Sequence, residues 1–174
     1  DAQMAARDGT ADIIFGIYFN DERAMYLDYV QPAFMLDPVV AMVATGKRFA
    51  FKGQDDLIGK KGVTNNGESY GPALDAFIAD KLTMTRTGEA DYMIAGLYPS
   101  ITAAAQFGVT GQLDPLDPPL LTADMFIAFS KKSPCLGLIE PFSKAITAMT
   151  ADGTYATALK EAITTWTTWI AKNQ

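Results

Sequence analysis

Two short runs, Ala11–Ile17 and Ala123–Ser130, constrain this chain more than any other feature. Each is nearly continuous in apolar and aromatic residues, without the alternation of a half-exposed strand. That pattern belongs to strands covered on both faces, which need helices or a second layer to cover them. The residues between supply those helices. Asp37–Ala44 and Phe49–Phe51 are further strand candidates, and Asp55–Ile58 reads as a short helical turn before a strand near Gly62–Thr64. A helix is expected from about Tyr70 to Lys81, capped by Ser69 or Glu68, with Leu74, Phe77 and Ile78 on its buried face. "LTMTR" and "ADYMIAG" read as strands, "SITAAAQFG" as a short helix and "DPLDPPLL" as a proline-rich connector. From Leu138 the chain is helical, broken at Ala151–Gly153. Residues 1–8 read as the end of a helix closed by Gly9. Strands alternating with helices define an α/β fold with mostly parallel sheets.

Two places fail to close physically. "LTMTR" and "ADYMIAG" are expected to be parallel neighbours, yet only Thr87, Gly88 and Glu89 separate them. A parallel crossover takes about a dozen residues or more. A central-type strand so near the start also lacks the strands expected beside it. Both gaps suggest missing residues: a helix between Arg86 and Thr87, and a segment before Asp1.

Composition excludes several kinds of chemistry. With no histidine among 174 residues, histidine triads, histidine general bases and the commonest metal ligand are absent. The single cysteine, Cys135, has no disulfide partner and no activating base, so it reads as a small packing residue. The eight methionines lack a repeated spacing and read as core filler, not a copper site. A net charge of −6 gives no general footprint for nucleic acid or an anionic membrane. No run is long and apolar enough to span a membrane, and no basic-then-apolar leader opens the chain.

"DGTADIIFGIYFNDERAMYLDYVQPAF" resembles the "G-x-x-D…G-x-T-x-T-x-x-R…DFS-x-P-Y" segment of extracellular solute-binding proteins. The likeness is to the polar amino-acid-binding group of ATP-driven importers. "DDLIGKKGVTNNGESYG", "TGEADYMIAG", "MFIAFSKKSP" and "FSKAITAMTADGTYATAL" resemble further segments of that group, in its order. The family's opening strand–helix–strand and the helix before "TGEAD" have no counterpart, which are the two places where the chain did not close. The resemblance implies a two-lobed periplasmic-binding-protein fold with doubly wound, mostly parallel sheets and a two-strand hinge near Asp37–Ala44 and Ala123–Ser130. Lobe one would comprise residues 1–40 and 124–174, and lobe two residues 41–123. Ligand would bind beyond the carboxyl ends of strands and be enclosed by lobe closure.

The same resemblance implies ligand-binding residues. Arg23 falls on the family arginine that grips a carboxylate with both arms of its fork, the plainer reading being a surface pair with Glu22 or Asp28. Gly16 either lets backbone approach the ligand or forms a bulge. Tyr18 and Asn20 stand where the family has threonines, and Tyr18 could equally be a rim aromatic. Gly67, Glu68 and Ser69 fall on a loop whose N–H groups complete the carboxylate site. Glu68 departs from that pattern, since an acid repels a carboxylate but suits an ammonium. The family's ammonium-binding aspartate is absent near Gly96, which leaves Glu68 or Tyr98 as substitutes, Tyr98 having an equal reading in packing.

The expected function is capture of a small carboxylate-bearing solute, an amino acid or derivative, for a membrane permease. The protein would be a monomer at the periplasmic or extracellular surface, without catalysis, cofactor, metal or nucleic acid. The alternatives are an enzyme resembling cyclohexadienyl dehydratases, with Glu68 as its acid, and the ligand-sensing module of a receptor.

Overall fold

The computed structural model describes residues 2–85 and 89–172. In chain order the elements are α1 (Ala2–Asp8), β1 (Ile13–Tyr18), α2 (Asp21–Ala24), β2 (Leu27–Tyr29), β3 (Met35–Ala44), β4 (Lys61–Val63) and α3 (Pro72–Lys81). There follow β5 (Thr83–Met84), β6 (Tyr92–Gly96), α4 (Leu97–Gln106), β7 (Leu113–Pro115), β8 (Leu121–Ser130), α5 (Ile139–Ala151) and α6 (Thr154–Lys172). The chain forms two compact units, residues 1–36 with 124–174, and residues 37–123. It passes to the second unit within β3, after Leu36, and returns within β8, after Ala123.

In the first unit, β1 and β2 both pair antiparallel with β8, at the same residues Ala128 and Phe129. A bulge between Phe15 and Ile17 interrupts β1, with Gly16 at its centre in the left-handed region, φ 80°. Strict alternation would place Ile17 on the face of Ile13 and Phe15. The extra residue instead turns Ile17 onto the face of Ile14, where both pack with Ala6, Leu27 and Ala128. The opposite cluster of Val30, Ile127 and Phe129 receives Ile13, Cys135 and the α5 residues Ile139, Phe142 and Ile146. Cys135 therefore packs as expected of a small apolar residue.

The second unit carries the continuous core. Val39–Val43 are five consecutive buried residues, as a strand covered on both faces requires. β3 pairs antiparallel with β6 and β7, while β4 pairs in parallel with β5 and β6. The parallel pairing expected from the alternation is seen at β4 and its two neighbours. "LTMTR" and "ADYMIAG" are not adjacent strands: both flank β4, with Gly62 opposite Met84 on one side and Tyr92 on the other. The helix expected between Arg86 and Thr87 falls outside the described residues, as does the segment expected before Asp1.

Three local expectations are corrected. Phe49–Phe51 forms no strand; its two rings instead meet edge to face, 6.3 Å apart. The helix expected from Tyr70 starts at Pro72, whose fixed φ and missing N–H suit a first helical position. Neither Ser69 nor Glu68 caps it, because Gly71 occupies the cap position with φ 104°. The proline-rich connector contributes a short strand, β7.

Candidate functional site

In the first unit, the carboxyl end of β1 delivers three of the expected site residues into one bonded group. Asn20 ends the extended segment and caps α2, its Oδ1 accepting the Arg23 N–H at 2.7 Å. That cap sets the direction in which Arg23 leaves the backbone. The residue is buried, only 3% exposed, and its guanidinium donates from Nε to Gln3 Oε1 at 3.1 Å and from Nη1 to the Tyr18 carbonyl at 3.0 Å. Tyr29 Oη donates to the same carbonyl at 3.4 Å. Tyr29 also packs against Phe19 and Phe126, with ring centroids 5.1 and 5.5 Å away.

The plainer expectation for Arg23, a surface pair with Glu22 or Asp28, is corrected as to the surface: the residue is buried at 3% exposure and is not a surface arginine. Tyr18 is buried at 7% exposure, so it is not a rim aromatic. Gly16 stands apart on the bulge, where an added Cβ would lie 3.4 Å from Met125 Sδ.

The second unit gathers the other expected residues at the carboxyl ends of β4 and β6, where α/β sheets characteristically present ligands. Gly67 turns the loop with φ 77°, and the Glu68 N–H closes that turn on Asn65 O at 3.3 Å. Tyr70 ties the loop to β6. Its hydroxyl donates to Ile94 O at 2.9 Å and accepts the Thr64 hydroxyl at 2.8 Å. Tyr98 opens α4, its N–H donating to Oδ1 of the fully buried Asp37 at 3.1 Å.

Asp75, in the first turn of α3, lies at the end of this loop. Its two carboxylate oxygens take the Ser69 hydroxyl at 2.6 Å and the Tyr70 N–H at 2.8 Å. Both donors, at the end of the loop, are thus bonded to a carboxylate of α3. Asp37, Tyr70 and Asp75 were missed in the sequence. The one available signal was Asp37 at the head of the apolar run "DPVVAMVA", where an acid is costly to bury unless it accepts hydrogen bonds.

Burial also governs the phenols. It pushes the Tyr29 hydroxyl up to about 12, and burial together with the Asp91 charge does the same for Tyr92. Tyr70 is raised further by burial and by Glu68, Asp75 and Asp37. An unfolded tyrosine ionises near 10, so these neutral phenols stabilise the fold below about pH 10, and that contribution is lost as pH rises towards 12. Alkaline titration of phenolate absorbance is expected to show some of the seven tyrosines ionising late, together with unfolding. Tyr29→Phe should remove one late-titrating group. A titration in which every tyrosine ionises near 10 with the fold intact would contradict this.

No protein-family model and no curated protein sequence matches the chain. Solved structures do. A histidine kinase sensor domain with similarity to periplasmic binding proteins aligns at TM-score 0.66 and 18% identity, over 91% of this chain and 72% of that one. A mutant of ArgBP from T. maritima aligns at TM-score 0.68 and 17% identity, over the same shares of the two chains. A putative ABC-transporter binding component from Wolinella succinogenes, complexed with lysine, aligns at TM-score 0.65 and 21% identity, over 89% of this chain and 71% of that one. The chain therefore spans about 72% of the length of such proteins. Among the described residues, no helix is long and apolar enough to cross a membrane. The likeness is one of architecture: this chain has the α/β fold of the periplasmic binding proteins.

Proposed function

We propose that this chain is a solute-binding protein that captures a small carboxylate-bearing solute, an amino acid or a derivative, for an ATP-driven importer. The observation that carries the reading is the alignment, over 91% and 89% of this chain, with an arginine-binding and a lysine-complexed binding component. Arg23 is the residue we assign to the solute's carboxylate, because Gln3 and the Tyr18 carbonyl hold its planar fork, and Asn20 its backbone N–H, in a fixed orientation. Gly67, Glu68, Ser69 and Tyr98 are assigned to the second unit's share of the contacts. With Asp75 already on the Ser69 hydroxyl and the Tyr70 N–H, that share is acidic and suits a solute's cationic end.

The reading involves capture without bond-making. A second reading, the sensing module of a receptor, is favoured by the likeness to a histidine kinase sensor domain; it shares the ligand chemistry and differs in the partner.

Calorimetric titration of the chain with lysine, arginine, glutamate and the other standard amino acids tests the proposal. Binding of at least one at about 1 μM, or roughly −8 kcal/mol, is expected. Heats indistinguishable from dilution across the whole set would overturn the amino-acid reading. Conversion of prephenate or arogenate would replace it with an enzymatic one.

A further inference from the structure

The connection from β3 to β4 carries a face that solute capture does not use. Residues 47–61 hold five of the chain's fourteen cations, Lys47, Arg48, Lys52, Lys60 and Lys61, against two of its twenty carboxylates, Asp55 and Asp56. That segment bears +3 within a chain whose remaining residues bear −9.

The segment is built onto its unit. Thr45 donates its N–H to Gln112 O at 2.9 Å and its hydroxyl to Gly111 O at 2.8 Å. Arg48 Nη1 donates to Pro115 O at 3.1 Å, and Leu57 plugs the far end, fully buried. Between these anchors lie the half-buried rings of Phe49 and Phe51, with Lys60 Nζ 4.3 Å from the Phe49 ring centroid. Ile58 adds an apolar side chain that is 50% exposed.

We propose that this face docks an acidic surface of a partner protein. Aromatic rings and arginine are the groups that anchor protein interfaces, and the cation on Phe49 fixes its ring before any partner arrives. Local positive charge within a negative chain steers a compact acidic patch. An extended polyanion is disfavoured, because it would run beyond the patch onto surface of its own sign. Screening over about 8 Å at physiological salt lets a compact patch respond to the segment's net positive charge and little of the chain's remaining charge. This reading is independent of which solute is bound.

The probe is a short polyglutamate of about six residues, too short to run beyond the patch, on a sensor surface, with the full chain in solution at low and at physiological salt. Binding is expected at low salt, weakening as salt rises. The triple variant Lys47→Gln, Arg48→Gln and Lys60→Gln should weaken it about tenfold. Lys81→Gln, Lys144→Gln and Lys160→Gln together, an equal change in net charge at exposed positions elsewhere, should leave it within about twofold. Thermal unfolding controls for the fold. If the Arg48 change disturbs it, Lys47→Gln with Lys60→Gln carries the same test. Absence of binding at low salt, equal losses in the two triples, or tighter binding to phosphatidylglycerol vesicles than to polyglutamate would each overturn the proposal.

Discussion

Arg23→Ala is expected to lower the stability of the chain by about 2–4 kcal/mol and to abolish solute binding with it. The side chain is 3% exposed and joins three stretches of sequence: α1 through Gln3, the end of β1 through the Tyr18 carbonyl, and α2, which carries it. Hydrogen bonds from a charged donor contribute about 1.5–3 kcal/mol each, and removing a buried donor also costs the acceptors their partner. The Tyr29 hydroxyl, bonded to the same carbonyl, keeps the loss below the sum of the two. Arg23 is therefore a residue of the first unit's core as well as of the site that the resemblance implies.

The lysine variant separates the two roles. A single ammonium can retain a bond to one of these acceptors and part of the stability, but it cannot present two parallel N–H groups to a carboxylate. Arg23→Lys should therefore recover more stability than affinity. Urea unfolding and calorimetric titration of both variants measure the two losses. An Arg23→Ala protein with an unchanged denaturant midpoint would remove the guanidinium from the core, and one with unchanged affinity would remove it from the site.

The limits of the sequence reading follow from the range of each interaction. β1, β3 and β8 were legible because continuous apolar runs report burial on both faces locally. Arg23 was legible as an arginine after a strand end, but its burial depends on Gln3, twenty residues earlier and unmarked by any pattern. Gly16 left two readings open. The bulge is visible only through the register with β8, where Phe15 pairs with Ile127 and Ile17 with Phe126. Phe49 and Phe51 have the residue types of a strand, yet edge-to-face packing and the Lys60 cation hold their rings without a ladder. Ser69 looked like a helix cap because serine so often is one. Asp75, reaching back from the first turn of α3, accepts its hydroxyl instead. Adjacent placement of β5 and β6 followed from chain order alone, whereas β4 lies between them.

That arrangement has a consequence at Gly62, the residue of β4 lying opposite both Met84 and Tyr92. The Tyr92 side chain, 2% exposed, lies across the glycine, and its hydroxyl comes within 3.9 Å of Met84 Sδ on the far strand. A Cβ on residue 62 would stand 2.5 Å from Tyr92 Cζ and 2.6 Å from both Cε2 and Oη. These atoms belong to one rigid ring, so relief requires the whole ring to swing out of the interior. Gly62→Ala is accordingly expected to cost about 3 kcal/mol, the upper part of the range for overpacking a core. Backbone strain offers no competing account, since Gly62 is not among the glycines with positive φ. In a strand without the ring above it, alanine would be the better residue. The partner mutation provides the decisive comparison. Tyr92→Leu alone should destabilise through lost burial, by about 2 kcal/mol. Adding Gly62→Ala to it should cost almost nothing more, because the atoms the new methyl would strike are gone. Chemical unfolding of the two single variants and the double variant yields the coupling, expected at about 2–3 kcal/mol in favour of the double. Strict additivity, or a Gly62→Ala protein as stable as the parent, would mean that the ring does not lie over β4.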